Sequence, residues 1–453
     1  MVFARHTDLS SNDARGAASS TREIDAQGLE LFYQNNGENT MVIVLDAVMD
    51  LDVDGDALSE AVRQTERRFT SFGCGLATTG RGLRFKPLAS AARAYEDVPG
   101  KRWLLGTGET DGRLYRVTYA GPHITVSLHH GLADGRGALE YLKTLLFYYL
   151  VALGHPVEPE GKVLLLGEVL ASEDECPHKK HGKPGVQAEA PAPVAAQLFG
   201  IQEDYLDERG EYLCRHVELT APVASVLTVA RGAETTVTPL LVAAVDRAIA
   251  QTYHPQDEMM LCCVTTDLRP LFGSTTVQNF ASWHILAEVP AMRSLPIEAE
   301  ARALKQQLDA VHSQDAGLAR ISERLALAAR LEDTPADEMF GNEASRMVEK
   351  RGVRSRLAGM VTNVGVIDLP EGVQRHVRQA SFRIPSFNAT ITIAVSTCGD
   401  TLTLNITQPF ASQGFSCALA EVLVQLGIPA DLIDRGLEGY DVLRRDAVAD
   451  LDS

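Results

Sequence analysis

Residues 123–154, HITVSLHHGLADGRGALEYLKTLLFYYLVALG, constrain the chain more than any other stretch. After the Gly121-Pro122 turn, Ile124, Val126 and Leu128 alternate with His123, Thr125 and Ser127, which is the pattern of a half-buried strand. The strand runs through HHGLADG into a long apolar stretch interrupted by Glu140 and Lys143. That stretch falls short of the roughly 20 apolar residues a membrane span needs, so it reads as a buried helix and no integral membrane segment is expected. A strand feeding a buried helix through a short turn places the segment in an α/β fold.

Composition sets the frame around it. At 453 residues, with 45% hydrophobic and 23% charged content, the chain can bury a large core and form two or three compact units. Lys and Arg number 42 against 60 Asp and Glu, a net charge of −18, which argues against non-specific binding to nucleic acid or an anionic bilayer. The first thirty residues lack the apolar core of a secretory signal, so the cytoplasm is the default location. The 7 cysteines are scattered without a CxxC pair, which fits reduced thiols rather than a disulfide framework or zinc site.

The sequence divides into a polar tail (1–25), a first lobe (26–170), a Pro/Ala/Gly-rich linker (171–196) and a second lobe (197–453). The first lobe opens with a strand at Met41 to Asp46 and an amphipathic helix ending near Phe69. Further strand-like runs lie near Leu83 to Phe85 and Leu114 to Tyr119. The second lobe has strands at Tyr212 to Leu219, Met259 to Thr266 and Trp283 to Val289, and helices at Pro239 to Tyr253 and Pro296 to Ala328. A hairpin with Gly399-Asp400 at its tip and a helix from Gln413 to Leu426 complete it.

Adjacent strand residues face opposite sides. By parity His130 shares the face of Ile124, Val126 and Leu128, and His129 that of Thr125 and Ser127. If the strand persists to its end, His130 is the enclosed residue, where desolvation lowers its pKa and leaves a neutral imidazole able to act as a base. Asp134 follows at the turn into the helix, and Gly135 leaves room for close backbone approach. No metal site is expected, because His129 and His130 diverge and no other His/Cys cluster supplies the missing ligands. There is also no GxSxG nucleophile elbow.

HHGLADG resembles the HHxxxDG signature of the acyltransferase superfamily that includes chloramphenicol acetyltransferase, plant BAHD acyltransferases, nonribosomal-peptide condensation domains and bacterial alcohol acetyltransferase-like proteins. The last group is the nearest resemblance, since DLRPLFGSTTVQNF (267–280) and TNVGVIDLP (362–370) follow in the same order. The resemblance runs from Met41 to about Thr407, and the DFGWG stretch of the plant enzymes is absent.

The resemblance implies an α/β fold of two chloramphenicol acetyltransferase-like lobes with mixed sheets and a tunnel at their interface. It implies an acyl donor, acyl-CoA, entering from one side and an alcohol or amine acceptor from the other, with no permanently bound cofactor. His130 would take the acceptor's proton for direct attack on the thioester, without a covalent intermediate, while His129 is structural. Asp134 would point away from substrate and pair with an arginine of the other half, for which Arg269 is the candidate. Thr362 or Asn363 would serve the oxyanion or close the tunnel, and Asn279 would bridge backbone across the lobes. The basic residues Arg346, Lys350, Arg351, Arg354 and Arg356 could meet the phosphates of coenzyme A or of a carrier's phosphopantetheine arm, or form a solvated loop.

Three alternatives stay open. A condensation-like enzyme would take its thioester from an acyl carrier protein, and an inactive member of the fold would bind a ligand in the tunnel. His129-x4-Asp134 also satisfies the HxxxxD pattern of glycerolipid acyltransferases, although the membrane-binding segments of that branch are not evident.

Overall fold

A computed structural model describes residues 21–35, 40–79, 82–167, 171–173, 175–183, 197–204, 206, 213–332, 334, 357–386 and 391–451. Two mixed α/β layers form two lobes, each with its own sheet and apolar core. The first sheet has the order β12 (Val377–Arg383), β1 (Val42–Met49), β7 (His123–His129), β6 (Tyr115–Ala120) and β4 (Tyr95–Glu96). β1 pairs antiparallel with β7 in a register that sets Val42 opposite His129 and Asp46 opposite Thr125. Helices α2 (Gly55–Arg68) and α3 (Gly135–Ala152) pack against each other beside this sheet. α2 buries Leu58, Ala61, Val62 and Thr65, one stripe at helical spacing. Asp54 starts it by accepting hydrogen bonds from the Asp56 and Ala57 amides.

The second sheet has the order β10 (Ala281–Glu288), β9 (Met260–Asp267), β11 (Gly359–Val366), β13 (Ile391–Cys398), β14 (Thr401–Gln408), β8 (Leu213–Pro222) and β15 (Asp431–Gly439). β11 is parallel to β9 and β13. α5 (Val223–Gly232), α6 (Val237–Tyr253), α8 (Ile297–Val311) and the helix Gly414–Gln425 contribute to its core. The helix expected from Pro296 to Ala328 is two helices. α8 ends at Val311, and Ser313 starts α9 (Gln314–Glu332) by accepting from the Ala316 amide through its hydroxyl and from the Gly317 amide through its carbonyl. Among the described residues no helix is long and apolar enough to cross a membrane.

The chain crosses between the lobes more often than a division at 171–196 implies. β12 joins the first sheet, β16 (Val442–Leu443) pairs with β5 (Leu104–Leu105), and β17 (Val448–Asp450) adds to the hairpin β2 (Cys74–Thr79) and β3 (Gly82–Pro87). Three stretches of the second half therefore complete sheets of the first. Residues 184–196 of the expected linker lie outside the described residues, whereas 175–183 include a short helix, α4 (Pro177–His181), in which His178 is buried against Phe280. The expected tail also ends before residue 25: Arg22 pairs with Phe85 through backbone hydrogen bonds, and Asp25 caps α1 (Ala26–Tyr33), which is buried throughout.

A polar cluster links the two sheets. His216 on β8 meets Glu438 Oε1 at 3.0 Å through Nδ1 and Asn405 Oδ1 at 2.8 Å through Nε2. Asn405 turns its amide nitrogen to Ser381 Oγ and Phe382 O on β12. Both ring nitrogens of His216 thus face acceptors, which requires the doubly protonated imidazolium. Burial opposes that charge, but the hydrogen bond and charge of Glu438 outweigh it and raise the His216 pKa above its ordinary 6.5. The cation therefore stabilises the fold fully below about 6.5, the unfolded value, and this contribution is lost as pH rises through the raised folded pKa. In thermal melts, the Tm gap between the wild type and His216→Gln should be largest near pH 6 and narrow by pH 9.

Candidate active site

HHGLADG forms the turn between β7 and α3. β7 ends at His129, so the alternation that would enclose His130 stops one residue short of it. His129 keeps the face that parity gives it, with Thr125 and Ser127, but it is this histidine that is enclosed, and His130 follows in the turn. His129 is fully buried and stacks on Phe32 of α1, with ring centroids 4.5 Å apart. Its Nδ1 accepts from the Gly131 amide, which places its proton on Nε2. Burial and the neighbouring His130 lower its pKa to about 3, so it is a neutral packing residue. His130 lies deep in the protein but keeps part of its surface accessible. Burial lowers its pKa as well, leaving the imidazole neutral near pH 7.

His130 is oriented by Asn279. Its Nδ1 lies 3.1 Å from Asn279 Oδ1, while Asn279 Nδ2 donates to Asp25 Oδ2 at 3.2 Å and Gly131 O at 3.4 Å. Those two acceptors fix which end of the amide faces His130. The oxygen faces the ring, so Nδ1 carries the proton and Nε2 keeps its lone pair.

Asp134 turns away from His130 and anchors the loop. It caps α3 by accepting from the Gly137 amide at 3.0 Å and also accepts from the Phe280 amide at 2.8 Å. Arg269, first residue of the short helix α7 (Arg269–Phe272), meets it through two parallel bonds of 2.9 and 3.0 Å. The guanidinium is also held by Asp267 and by the carbonyls of Thr276 and Gln278, so its fork is fully engaged. Burial alone would raise the Asp134 pKa, but Arg269 and the amide donors overcome it and hold the carboxyl below its ordinary range.

Glycines let three segments close on this loop. A Cβ at Gly131 would overlap the Phe32 ring, one at Gly137 the Val277 carbonyl, and one at Gly135 would stand 2.7 Å from Val364 Cγ1. The last contact sets the end of β11 against the start of α3. Thr362 and Asn363 lie just before it on β11. The Thr362 hydroxyl shares a 2.8 Å hydrogen bond with Thr265, and Asn363 donates to Thr238 Oγ1 and accepts from the Gly365 amide, fastening a bulge where Gly365 has φ +79°. Arg346, Lys350, Arg351, Arg354 and Arg356 lie outside the described residues. Among the described residues no group of His, Cys, Asp and Glu could hold a metal ion.

Sequence reasoning missed Asp25 and α1. The available signal was an Asp immediately before the apolar run AQGLELFY, a helix N-terminus pattern.

No family model and no curated protein sequence matches the chain. Solved structures do resemble it. Polyketide synthase associated protein 5 from Mycobacterium tuberculosis superimposes with a TM-score of 0.59 at 15% identity, covering 90% of this chain and 98% of that one. TRI101 of F. sporotrichioides, in complex with coenzyme A and T-2, gives 0.59 at 12% identity, covering 91% of this chain and 100% of its own. The epimerization domain from the third module of tyrocidine synthetase B gives 0.54 at 12% identity, with 92% and 98% covered. The chain therefore has the two-lobed fold of the chloramphenicol acetyltransferase-like and condensation-type proteins.

Proposed function

We propose that the protein is an acyltransferase that moves an acyl group from a thioester, acyl-CoA, to an alcohol or amine, with His130 as general base. The observation that carries this reading is the hydrogen bond from His130 Nδ1 to Asn279 Oδ1. It reserves Nε2 for the acceptor's proton. Support also comes from TRI101, a protein of the same fold whose crystals contain coenzyme A.

In this mechanism Nε2 takes the proton from the acceptor O–H or N–H as that atom attacks the thioester carbonyl. The tetrahedral oxyanion collapses, the C–S bond breaks, and the leaving thiolate recovers the proton from His130. The Thr362 hydroxyl is the oxyanion donor in this reading, once it turns from Thr265, while Asn363 shapes the bulge beside it. Donor and acceptor meet in a tunnel between the lobes, and the basic run around Arg351, Arg354 and Arg356 receives the phosphates of coenzyme A. The reaction belongs to the cytoplasm, where acyl-CoA is available.

Direct transfer separates this reading from nucleophilic catalysis. After incubation with acyl-CoA in the absence of acceptor, intact-protein mass spectrometry should show only the unmodified chain. A stoichiometric acyl adduct that disappears on addition of acceptor would contradict it.

A further inference from the structure

We propose that Asp25 is a positioning residue for His130, acting through Asn279 to fix the imidazole tautomer; this rests on the reading of His130 as the base. Asp25 divides its carboxylate between two tasks. Oδ1 caps α1 by accepting from the Gln27 and Gly28 amides at 2.9 and 2.8 Å, and Oδ2 accepts from Asn279 Nδ2 at 3.2 Å. A cap needs only the first oxygen, and serine, threonine or asparagine supplies it equally well. Asp25 is nonetheless only 2% exposed, and burying a carboxylate is costly unless its charge is used.

The use is polarity. Burial pushes the Asp25 pKa up to about 6, so at pH 7.5 the carboxylate is ionised and only accepts hydrogen bonds. It must draw the NH2 end of Asn279 toward itself, and the oxygen end then faces His130 Nδ1. Without Asp25 Oδ2, the amide nitrogen keeps only the 3.4 Å contact to Gly131 O. A turned amide would present a donor to Nδ1, opposing the backbone of His130 and Ala133 that also bonds the ring, and would shift the tautomer toward Nε2–H, which lacks the lone pair that receives the acceptor's proton. Two further contacts tie α1 to the same loop: Phe32 stacks on His129, and a Cβ on Gly28 would stand 2.6 Å from Gly131 O.

The full-length chain tests this through Asp25→Asn, which keeps a capping oxygen but presents an NH2 group to Asn279. Turnover should fall roughly 10- to 100-fold, the range for removing a group that orients a functional residue, with KM unchanged. Nitrogen-15 NMR of labelled histidine should show the His130 proton moving from Nδ1 to Nε2. In an Asn279→Ala background the substitution should add no further loss of kcat. If Asp25→Asn does not fold, Asp25→Ser takes its place, with a cap retained and a side chain too short for Asn279, and the same losses are expected. Wild-type kcat together with a retained Nδ1–H tautomer would overturn the role of Asp25. His130→Ala in the same assay keeps the two readings apart: if it retains turnover, the base assignment itself fails; if it loses turnover while Asp25→Asn does not, only Asp25 is wrongly assigned.

Discussion

Replacing His130 with alanine should reduce turnover by about 100-fold or more, the typical loss when a general base is removed, with little change in unfolding temperature. The environment of His130 gives both halves of this expectation. Its ring meets the Asn279 side chain and nearby backbone of the same turn, and the residue keeps accessible surface, so its loss leaves a polar cavity in which water can take over the ring's hydrogen bonds. His129→Ala should behave in the opposite way. That ring is fully buried and stacked on Phe32, so its removal should destabilise the fold by an amount in the range of other large core truncations, about 2–5 kcal/mol. A pair of adjacent histidines thus separates into a chemical and a packing residue. Near wild-type turnover in His130→Ala would remove the basis for assigning it as the base.

The second large effect is expected at Asp134. Its carboxylate receives four hydrogen bonds, two from Arg269 and one each from the Gly137 and Phe280 amides. Both side chains of the ion pair are at most 10% exposed. Asp134→Asn retains a capping oxygen for α3 but leaves the buried Arg269 guanidinium with Asp267, a more exposed carboxylate, as its remaining counter-charge. Removing one partner from such a pair costs about 3–5 kcal/mol, which urea unfolding would measure directly. Adding Arg269→Met should cost less than the sum of the single changes, because the second substitution removes the cation whose buried partner the first had neutralised. Additive losses would show that the two side chains do not act as a unit.

The fold was most legible where local pattern and burial agree. The alternation of Ile124, Val126 and Leu128 marks β7, and the apolar run that follows is α3. The pairing of Asp134 with Arg269 was implied by the resemblance of HHGLADG and DLRP to the acyltransferase motifs, not by any local pattern. Other features depend on tertiary contacts that no local period encodes. β12 enters the first sheet from almost 330 residues beyond β1, pairing Ala380 with Ala47 and Phe382 with Leu45. The two-residue strand Val442–Leu443 has no periodicity to read at all. Parity could not place His130, because β7 stops at His129, and it could not show that α1 would cover the other face, where Phe32 encloses His129. α1 was overlooked because its eight residues are buried on every side and so carry no amphipathic stripe.

The most direct test of acyl transfer is acceptor-dependent thiol release, measured with a panel of acyl-CoAs and with acylated carrier protein, each with and without alcohols and amines, on the wild type and His130→Ala. The predicted result is free thiol from acyl-CoA in one-to-one ratio with acylated product, only when an acceptor is present, and at least 100-fold slower in the variant. Release from acylated carrier alone would move the donor to the condensation-type reading. No release from either donor, alongside ligand-induced thermal stabilisation, would contradict the account and leave a binding scaffold of the same fold.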